Sequence, residues 1–77
     1  MDTQTLEEAK DVVDYIAFMV NDFASEYQLS MRESYDYLKR YGGIEFLDEF
    51  YDVEHCENPV ITLQTLQRIC SQEGGNL

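Results

Sequence analysis

The residue types that could bind a metal or act as a nucleophile lie together near the middle of the chain. The single histidine, His55, directly precedes Cys56, and Asp48 and Asp52 stand four residues apart just before them. Histidine and cysteine are common zinc ligands, and two aspartates at this spacing share one face of a helix. A structural zinc site, however, usually takes its four ligands from paired Cys or His clusters, and this segment lacks that pairing. We therefore predict no metal or cofactor site, with a small metal- or ligand-dependent enzyme or sensor centred on Asp52, His55 and Cys56 as the alternative.

The same segment is a poor candidate for nucleophilic catalysis by Cys56 with His55 as the base. Sequence neighbours seldom reach the geometry that a nucleophile and its base require, and no third orienting group or oxyanion loop is evident. Gly42 and Gly43 lack the longer glycine pattern and the lysine of a phosphate-binding loop. At the end of an acidic helix, a cationic imidazole complements the helix dipole. We therefore expect that His55 closes the preceding helix and that the chain is not an enzyme.

Acidic residues dominate the charge of the chain, with sixteen Asp and Glu against five Lys and Arg and a net charge of −11. Binding to nucleic acids or to anionic membranes requires many cations, so both are excluded as partners. Six acids and no base lie between Glu45 and Glu57, which favours a protein partner with a basic surface. Two cysteines are too few for a secreted disulfide framework, and no basic signal segment or long apolar run is present. These features predict a cytoplasmic protein.

Apolar periodicity and helix-capping residues predict the first two helices. Thr5 and Glu8 have the spacing of a capping box that would start a long first helix, and Ser30 and Glu33 repeat it ahead of a second helix from Met31 to Arg40 or Tyr41. The wide apolar stripe of the first helix favours burial within its own domain, and pairing of two chains through this helix is the alternative. The residues predicted to face inward are Leu6, Ala9, Val13, Ile16, Val20, Phe23 and Tyr27 in the first helix and Met31, Tyr35 and Leu38 in the second.

Two further helices are predicted in the second half of the chain. Gly42 and Gly43 end the second helix, and a third follows over about residues 44 to 51 with an acidic outer face. Asn58 and Pro59 supply a cap and a first helical residue for a fourth helix that ends near Gln72, with Val60, Leu63, Leu66, Ile69 and Cys70 inward. At 77 residues the chain is a single domain. The predicted fold is all-α, a compact small bundle of about four helices with its core over about residues 5 to 73 and frayed termini.

The stretch LSMRESYDYLKRYGGIEFLDEFYDVEH, with a later segment ending CSQEGG, resembles the bacterial family of domain of unknown function 3791 over about residues 10 to 75. The family has no established activity. The resemblance implies a helical fold and a gene that often neighbours an ADP-ribosyltransferase-like toxin, and thus a role as an antitoxin or toxin accessory. Many members carry Thr in place of Cys56, which argues against a fixed site there. The features that carry the likeness are the capped start at Ser30, the Tyr37-Leu38 and Tyr41-Gly42 pairs, the run from Ile44 to Leu47, and the segment from Tyr51 to His55.

We expect a non-catalytic protein–protein interaction module, as a monomer or a homodimer, with an adjacent toxin-like protein as the partner that the resemblance implies. Tyr37 projects away from the line of Tyr35 and Leu38, and with Phe46 or Tyr51 it would form an aromatic patch with a charged border. The alternative is that Tyr37 packs against the first or fourth helix. The predicted contact residues are Tyr37, Glu45, Asp48, Glu49, Asp52 and His55.

Overall fold

Five helices follow one another in the computed structural model, which describes the backbone of residues 3–77 and the side chains from residue 9 onward. They are α1 (Thr3–Tyr27), α2 (Met31–Arg40), α3 (Gly43–Glu49), α4 (Tyr51–Glu54) and α5 (Pro59–Gln72), and no strand occurs in the described residues. The molecule measures 41 × 22 × 20 Å. Its long axis reflects α1, whose 25 residues span about 37 Å. The prediction of an all-α small bundle is confirmed.

The core forms where α1 meets α2, α3 and α5. Between α1 and α2 the buried Ser34 hydroxyl donates a hydrogen bond of 2.7 Å to the Val20 carbonyl, so the two helices approach closely at this point. The buried apolar side chains are Met19, Val20, Phe23 and Ala24 from α1, Leu38 from α2, Leu47 from α3, and Leu66 and Cys70 from α5.

Local capping explains why α2 and α5 begin where the sequence predicts. The Glu33 amide donates to the Ser30 hydroxyl at 3.0 Å, and the Glu33 carboxylate accepts from the Ser30 amide at 2.9 Å. This reciprocal pair is the predicted capping box. At the start of α5, the Asn58 side chain accepts from the Val60 amide at 2.9 Å and Pro59 occupies the first helical position. Both predicted helices are confirmed, including the end of α5 at Gln72.

The turn between α2 and α3 depends on the two glycines for different reasons. Gly42 has φ +87°, a left-handed conformation that glycine adopts without strain, and the prediction of a left-handed glycine here is confirmed. Gly43 begins α3 and lies against the core, because a Cβ atom there would be only 2.7 Å from Cδ2 of Leu38. The start of α3 can therefore pack directly against Leu38 of α2 because residue 43 has no side chain.

Two predicted boundaries are wrong. Helix α1 already includes Thr3, so Thr5 lies inside the helix and does not start it; the side chains of Thr5 and Glu8 lie outside the described ones. The predicted third helix is interrupted at Phe50, whose backbone leaves the helical region at φ −105° and ψ 23°. The chain then continues as α4, although the sequence predicts no helix between about residue 51 and the cap at Asn58. The break allows the Tyr51 ring to reach Tyr15 of α1, with ring centroids 5.5 Å apart.

Several side chains that were predicted to be buried are exposed instead. Val13 is 64% exposed and Ala9 is exposed, because α2, whose 10 residues span only about 15 Å, does not cover this side of α1 at these two residues. Met31 and Tyr35 are 48% and 44% exposed, because the bond from Ser34 to α1 turns Ser34 inward in their place, whereas Leu38 is buried as predicted. Val60 is also exposed, and in α5 the buried line is Thr62, Leu66 and Cys70.

Candidate protein-binding surface

Four of the predicted contact residues share the exposed side of α3 and α4. Glu45, Asp48 and Glu49 of α3 and Asp52 of α4 all have exposed side chains. Among the described side chains the only ion pair joins Arg32 and Asp36, at 3.2 Å. The four carboxylates therefore face solvent with no ion-pair partner from the described part of the chain.

Apolar side chains lie among these acids. Phe50 is 45% exposed, and its ring packs against that of Phe46 with centroids 5.2 Å apart. Val53 is 67% exposed and follows Phe50 by three residues. An exposed aromatic ring and an exposed aliphatic side chain thus interrupt the charged surface. We define the acidic α3–α4 face as Glu45, Asp48, Glu49, Phe50, Asp52 and Val53.

One edge of the acidic α3–α4 face borders an open depression of about 380 Å³. Lys39 and Arg40 at the end of α2 form one wall, and Glu45 and Glu49 form another. Neither His55, Cys56 nor any aspartate lines this depression. With Glu73 the depression brings three acidic and two basic side chains together at the border of the face, and it contains none of the groups considered for metal binding or nucleophilic catalysis.

His55 forms the expected hydrogen bond to the end of a helix, but the helix that it closes is α4, which is separated from α3 by the break at Phe50. Its ring nitrogen Nδ1 donates to the Tyr51 carbonyl at 2.6 Å, one turn earlier. The imidazole also stacks on the Tyr51 ring, with centroids 4.4 Å apart and an angle of 14° between the planes. These two contacts fix the orientation of the imidazole and occupy Nδ1, so His55 positions the end of α4 beside the acidic α3–α4 face.

The Cys56 thiol is exposed and lies near the imidazole without the alignment of a nucleophile and its base. Its sulfur is 3.5 Å from Nε2 and 3.9 Å from Nδ1 of His55. A sulfur that lay on the lone-pair axis of one ring nitrogen would be much farther from the second ring nitrogen. The Cys56 sulfur is almost equally far from both nitrogens, so it lies beside the ring and on neither axis. No group of three or more His, Cys, Asp or Glu side chains in the described part of the chain is arranged to hold a metal ion.

A hydrogen bond that the sequence did not predict joins α4 to α5. Thr62 is fully buried, and its hydroxyl donates to the Glu54 carboxylate at 3.0 Å. The buried hydroxyl of Tyr15 lies beside the Thr62 side chain and has no hydrogen-bond partner among the described groups. Burial raises the pKa of Tyr15 above its usual value. No periodicity or motif marks this pair, because Glu54 and Thr62 belong to different helices. The bond anchors α4, and with it Asp52 and Val53, to the core.

Tyr37 lies at the edge of the core and does not join the acidic α3–α4 face. Its ring stacks on Phe23 of α1 with centroids 5.8 Å apart, and its hydroxyl accepts a hydrogen bond of 3.1 Å from the Leu77 amide. The Leu77 carbonyl in turn accepts a 2.8 Å bond from Gln67, so the C-terminal residues pack over Tyr37. The predicted aromatic patch of Tyr37 with Phe46 or Tyr51 is wrong, and the alternative, packing on the first helix, is confirmed.

The fold and this surface define a small all-helical protein with an acidic, partly apolar exposed face. A family model described as "Protein of unknown function (DUF3791)" matches residues 14–72, and the chain belongs to this family. The match includes the whole acidic α3–α4 face. Comparisons with curated proteins and with solved structures give no match. Within the described residues, no helix has the length and apolar character needed to cross a lipid bilayer.

Proposed function

We propose that the chain is a non-catalytic protein-binding module that contacts a basic partner through the acidic α3–α4 face. The observation that carries the proposal is the exposure of Phe50 and Val53 among four carboxylates that have no ion-pair partner in the described part of the chain. Protein interfaces typically combine apolar anchors, which supply most of the affinity, with a polar rim. Phe50 and Val53 are suited to be the anchors, and the carboxylates are suited to be the rim.

The charge of the face contributes to the speed and selectivity of association. The segment between Glu45 and Glu57 contains six acids and no base, in a chain with net charge −11. Such a concentration of one sign attracts a basic surface over about 8–10 Å at ordinary ionic strength and repels acidic ones. We expect association to slow as salt is added, while dissociation depends mainly on the apolar anchors.

The resemblance noted above supports a more specific partner. It implies that the gene neighbours one for an ADP-ribosyltransferase-like toxin, and we propose that this cytoplasmic protein neutralises or assists such a neighbour by binding it. The contact would be made by the carboxylates of the acidic α3–α4 face and basic side chains of the toxin-like protein. This assignment rests on the resemblance, whereas the choice of surface rests on the geometry.

The proposal is tested by co-expressing the chain with the adjacent gene product, purifying the complex and measuring its affinity by calorimetric titration. The double variant Asp48→Lys/Asp52→Lys should weaken binding by about tenfold or more at low salt. The matched control is Asp22→Lys/Glu26→Lys, which makes the same change in net charge at the same spacing on α1. It should retain most of the affinity. Equal losses in the two double variants would show that only net charge matters and would reject the acidic α3–α4 face.

The apolar part of the surface has its own test. Phe50→Ser should accelerate dissociation, because the exposed ring is expected to be buried by the partner. Val60→Ser is the control, since Val60 is exposed to a similar extent at the start of α5. A complex that forms and dissociates identically with Phe50→Ser would mean that Phe50 is not an anchor.

A further inference from the structure

Helix α4 is the part of the acidic α3–α4 face that is least anchored in the core. It has only four residues and none of them is buried, and a helix this short is not stable by itself. Helix α3, in contrast, has Gly43 and Leu47 buried. Asp52 and Val53 of the acidic α3–α4 face therefore lie on an element whose position depends on a few side-chain contacts.

Both ends of α4 are separated from the backbone hydrogen bonds of the neighbouring helices. The Phe50 amide donates to the Phe46 carbonyl of α3 at 2.9 Å, and the bonding of α4 begins at the Phe50 carbonyl, which accepts from the Glu54 amide at 2.8 Å. Phe50 joins the two helices, and its φ of −105° and ψ of 23° lie outside the helical region. At the other end, exposed residues 55–58 lead into α5, which has its own cap at Asn58. The hydrogen bonds of α4 can therefore break while those of α3 and α5 remain.

Two side-chain contacts hold α4 against other helices. The Tyr51 ring meets Tyr15 of α1 edge-on, with centroids 5.5 Å apart, and the Glu54 carboxylate accepts from the buried Thr62 hydroxyl of α5 at 3.0 Å. Tyr51 and Glu54 are the two half-buried residues of α4, and the two residues between them are exposed. One ring contact and one hydrogen bond therefore attach the inner side of α4.

The Tyr15 hydroxyl lies at this junction and opposes the attachment. It is buried beside Thr62 and has no hydrogen-bond partner among the described groups. A buried hydroxyl without a partner costs free energy, which is recovered when water reaches the group. Movement of α4 away from Thr62 would admit water to the Tyr15 hydroxyl. The closed position of α4 therefore includes one polar group that is better satisfied when α4 opens.

We propose that α4 opens and closes as a unit on an otherwise intact core, and that the closed form is the one that binds the partner. Opening breaks the hydrogen bond between Thr62 and Glu54 and hydrates the Tyr15 hydroxyl. It also removes Asp52 and Val53 from the acidic α3–α4 face, so a partner that contacts them shifts the population towards the closed form. The preference of the partner rests on the proposed function, whereas the opening is a property of the free chain.

Native-state hydrogen exchange of the full chain, followed by NMR at low urea concentrations, tests the opening. The Glu54 and His55 amides of the α4 segment should be at least about 100-fold less protected than the amide of the buried Leu66 in α5. Their exchange should hardly change with urea, because a local opening exposes little surface, whereas exchange at Leu66 should accelerate. Equal protection and equal urea dependence at all three amides would show that α4 opens only when the whole chain unfolds, and would overturn the proposal.

Two substitutions at the junction should change the opening in opposite directions. Thr62→Val removes the donor to Glu54 and should accelerate exchange of the Glu54 and His55 amides by about tenfold. Tyr15→Phe removes the unpaired hydroxyl and should slow the exchange by about fivefold. Tyr35→Phe is the matched control, because Tyr35 is 44% exposed on α2 and its hydroxyl should have no effect on α4. Faster exchange in Tyr15→Phe, or equal effects of Tyr15→Phe and Tyr35→Phe, would overturn the role given to Tyr15.

The complex with the co-expressed adjacent gene product tests the preference for the closed form. Binding should slow exchange of the Glu54 and His55 amides by about tenfold or more, because it removes the open form. A complex that depends on Asp48 and Asp52 but leaves this exchange unchanged would overturn the preference and retain the proposed function. A complex that forms through another surface would reject the proposed function, and the opening would still be decided by the measurements on the free chain.

Discussion

Replacing Gly43 with alanine should destabilise the protein through one steric contact that the structure defines. An added Cβ would lie 2.7 Å from Cδ2 and 3.3 Å from Cβ of Leu38, and 3.4 Å from the sulfur of Cys70. Optimal contact between carbon atoms occurs at about 3.5–4.0 Å. Leu38 and Cys70 are fully buried, so neither side chain can move into solvent. Relieving the 2.7 Å contact requires the end of the Leu38 side chain to shift. Relieving the 3.3 Å contact requires the backbone to shift, because Cβ of Leu38 is bonded directly to it.

The magnitude follows from two opposing terms. Overpacking of a core by a methyl group costs about 1–3 kcal/mol, and replacing glycine by alanine in a helix returns up to about 1 kcal/mol. We expect a net loss of about 1–2 kcal/mol in the free energy of unfolding, a large part of the roughly 4–12 kcal/mol typical of a chain of 77 residues. For a domain of this size, the midpoint of thermal unfolding should fall by roughly 5–15 °C. Urea and thermal denaturation followed by circular dichroism measure both quantities.

A double-mutant cycle isolates the contact from other effects of the substitution. In a Leu38→Val background the Cδ2 atom is absent, so Gly43→Ala should cost less than in the unmodified chain. Gly42→Ala is the control, because its Cβ would meet nothing within 4 Å and its cost arises from the left-handed φ of +87°. That cost should be the same in both backgrounds. If Gly43→Ala costs equally with and without Cδ2, the steric explanation is refuted.

Three further predictions concern individual contacts. Thr62→Val should lower the free energy of unfolding by about 1–3 kcal/mol in urea titrations, because it leaves the Glu54 carboxylate without its donor. Hydrogen bonds from the backbone amide and the side chain of Ser30 lower the pKa of Glu33 from 4.5. The ionised carboxylate should therefore contribute fully to the free energy of unfolding above pH 4.5, and this contribution should be lost as the pH falls through the lowered pKa. In Glu33→Gln the midpoint of thermal unfolding should depend less on pH below 4.5 than in the unmodified chain. The same pH dependence in both proteins would contradict the prediction. Burial raises the pKa of Cys70 to about 11, so alkylation followed by mass spectrometry should modify Cys56 in the native protein and Cys70 only after unfolding.

Helix boundaries were predictable where capping is local. The Ser30 capping box spans four residues, and the Asn58 and Pro59 signal spans two, so each can be recognised without knowledge of the rest of the fold. The closure of α4 by His55 also involves a residue only four positions earlier. The end of α1 is predictable from Tyr27, the last inward residue of its stripe, and from the Ser30 cap of α2, although the left-handed residue between them is Gln28 with φ 56° and not a glycine.

The break in the third helix and the buried faces were not predictable in the same way. Which apolar residues of α2 are buried depends on the bond between Ser34 and Val20, residues 14 positions apart. The turn at Phe50 accompanies the contact between Tyr51 and Tyr15, which lie still farther apart in the sequence. Periodicity identifies an apolar stripe, but it does not show which part of the stripe another helix will cover.

The sequence by itself determined that the chain forms helices, where α2 and α5 begin, and that the segment after Gly43 is acidic, because propensity, capping and charge are properties of neighbouring residues. Only the tertiary structure decided that Tyr37 packs on Phe23 while Val13, Met31 and Tyr35 remain exposed. It also decided that Thr62 holds α4 through Glu54. The physical reason is that the helices differ in length: the shorter ones cover only part of α1, and the position of each helix selects which apolar side chains are removed from water.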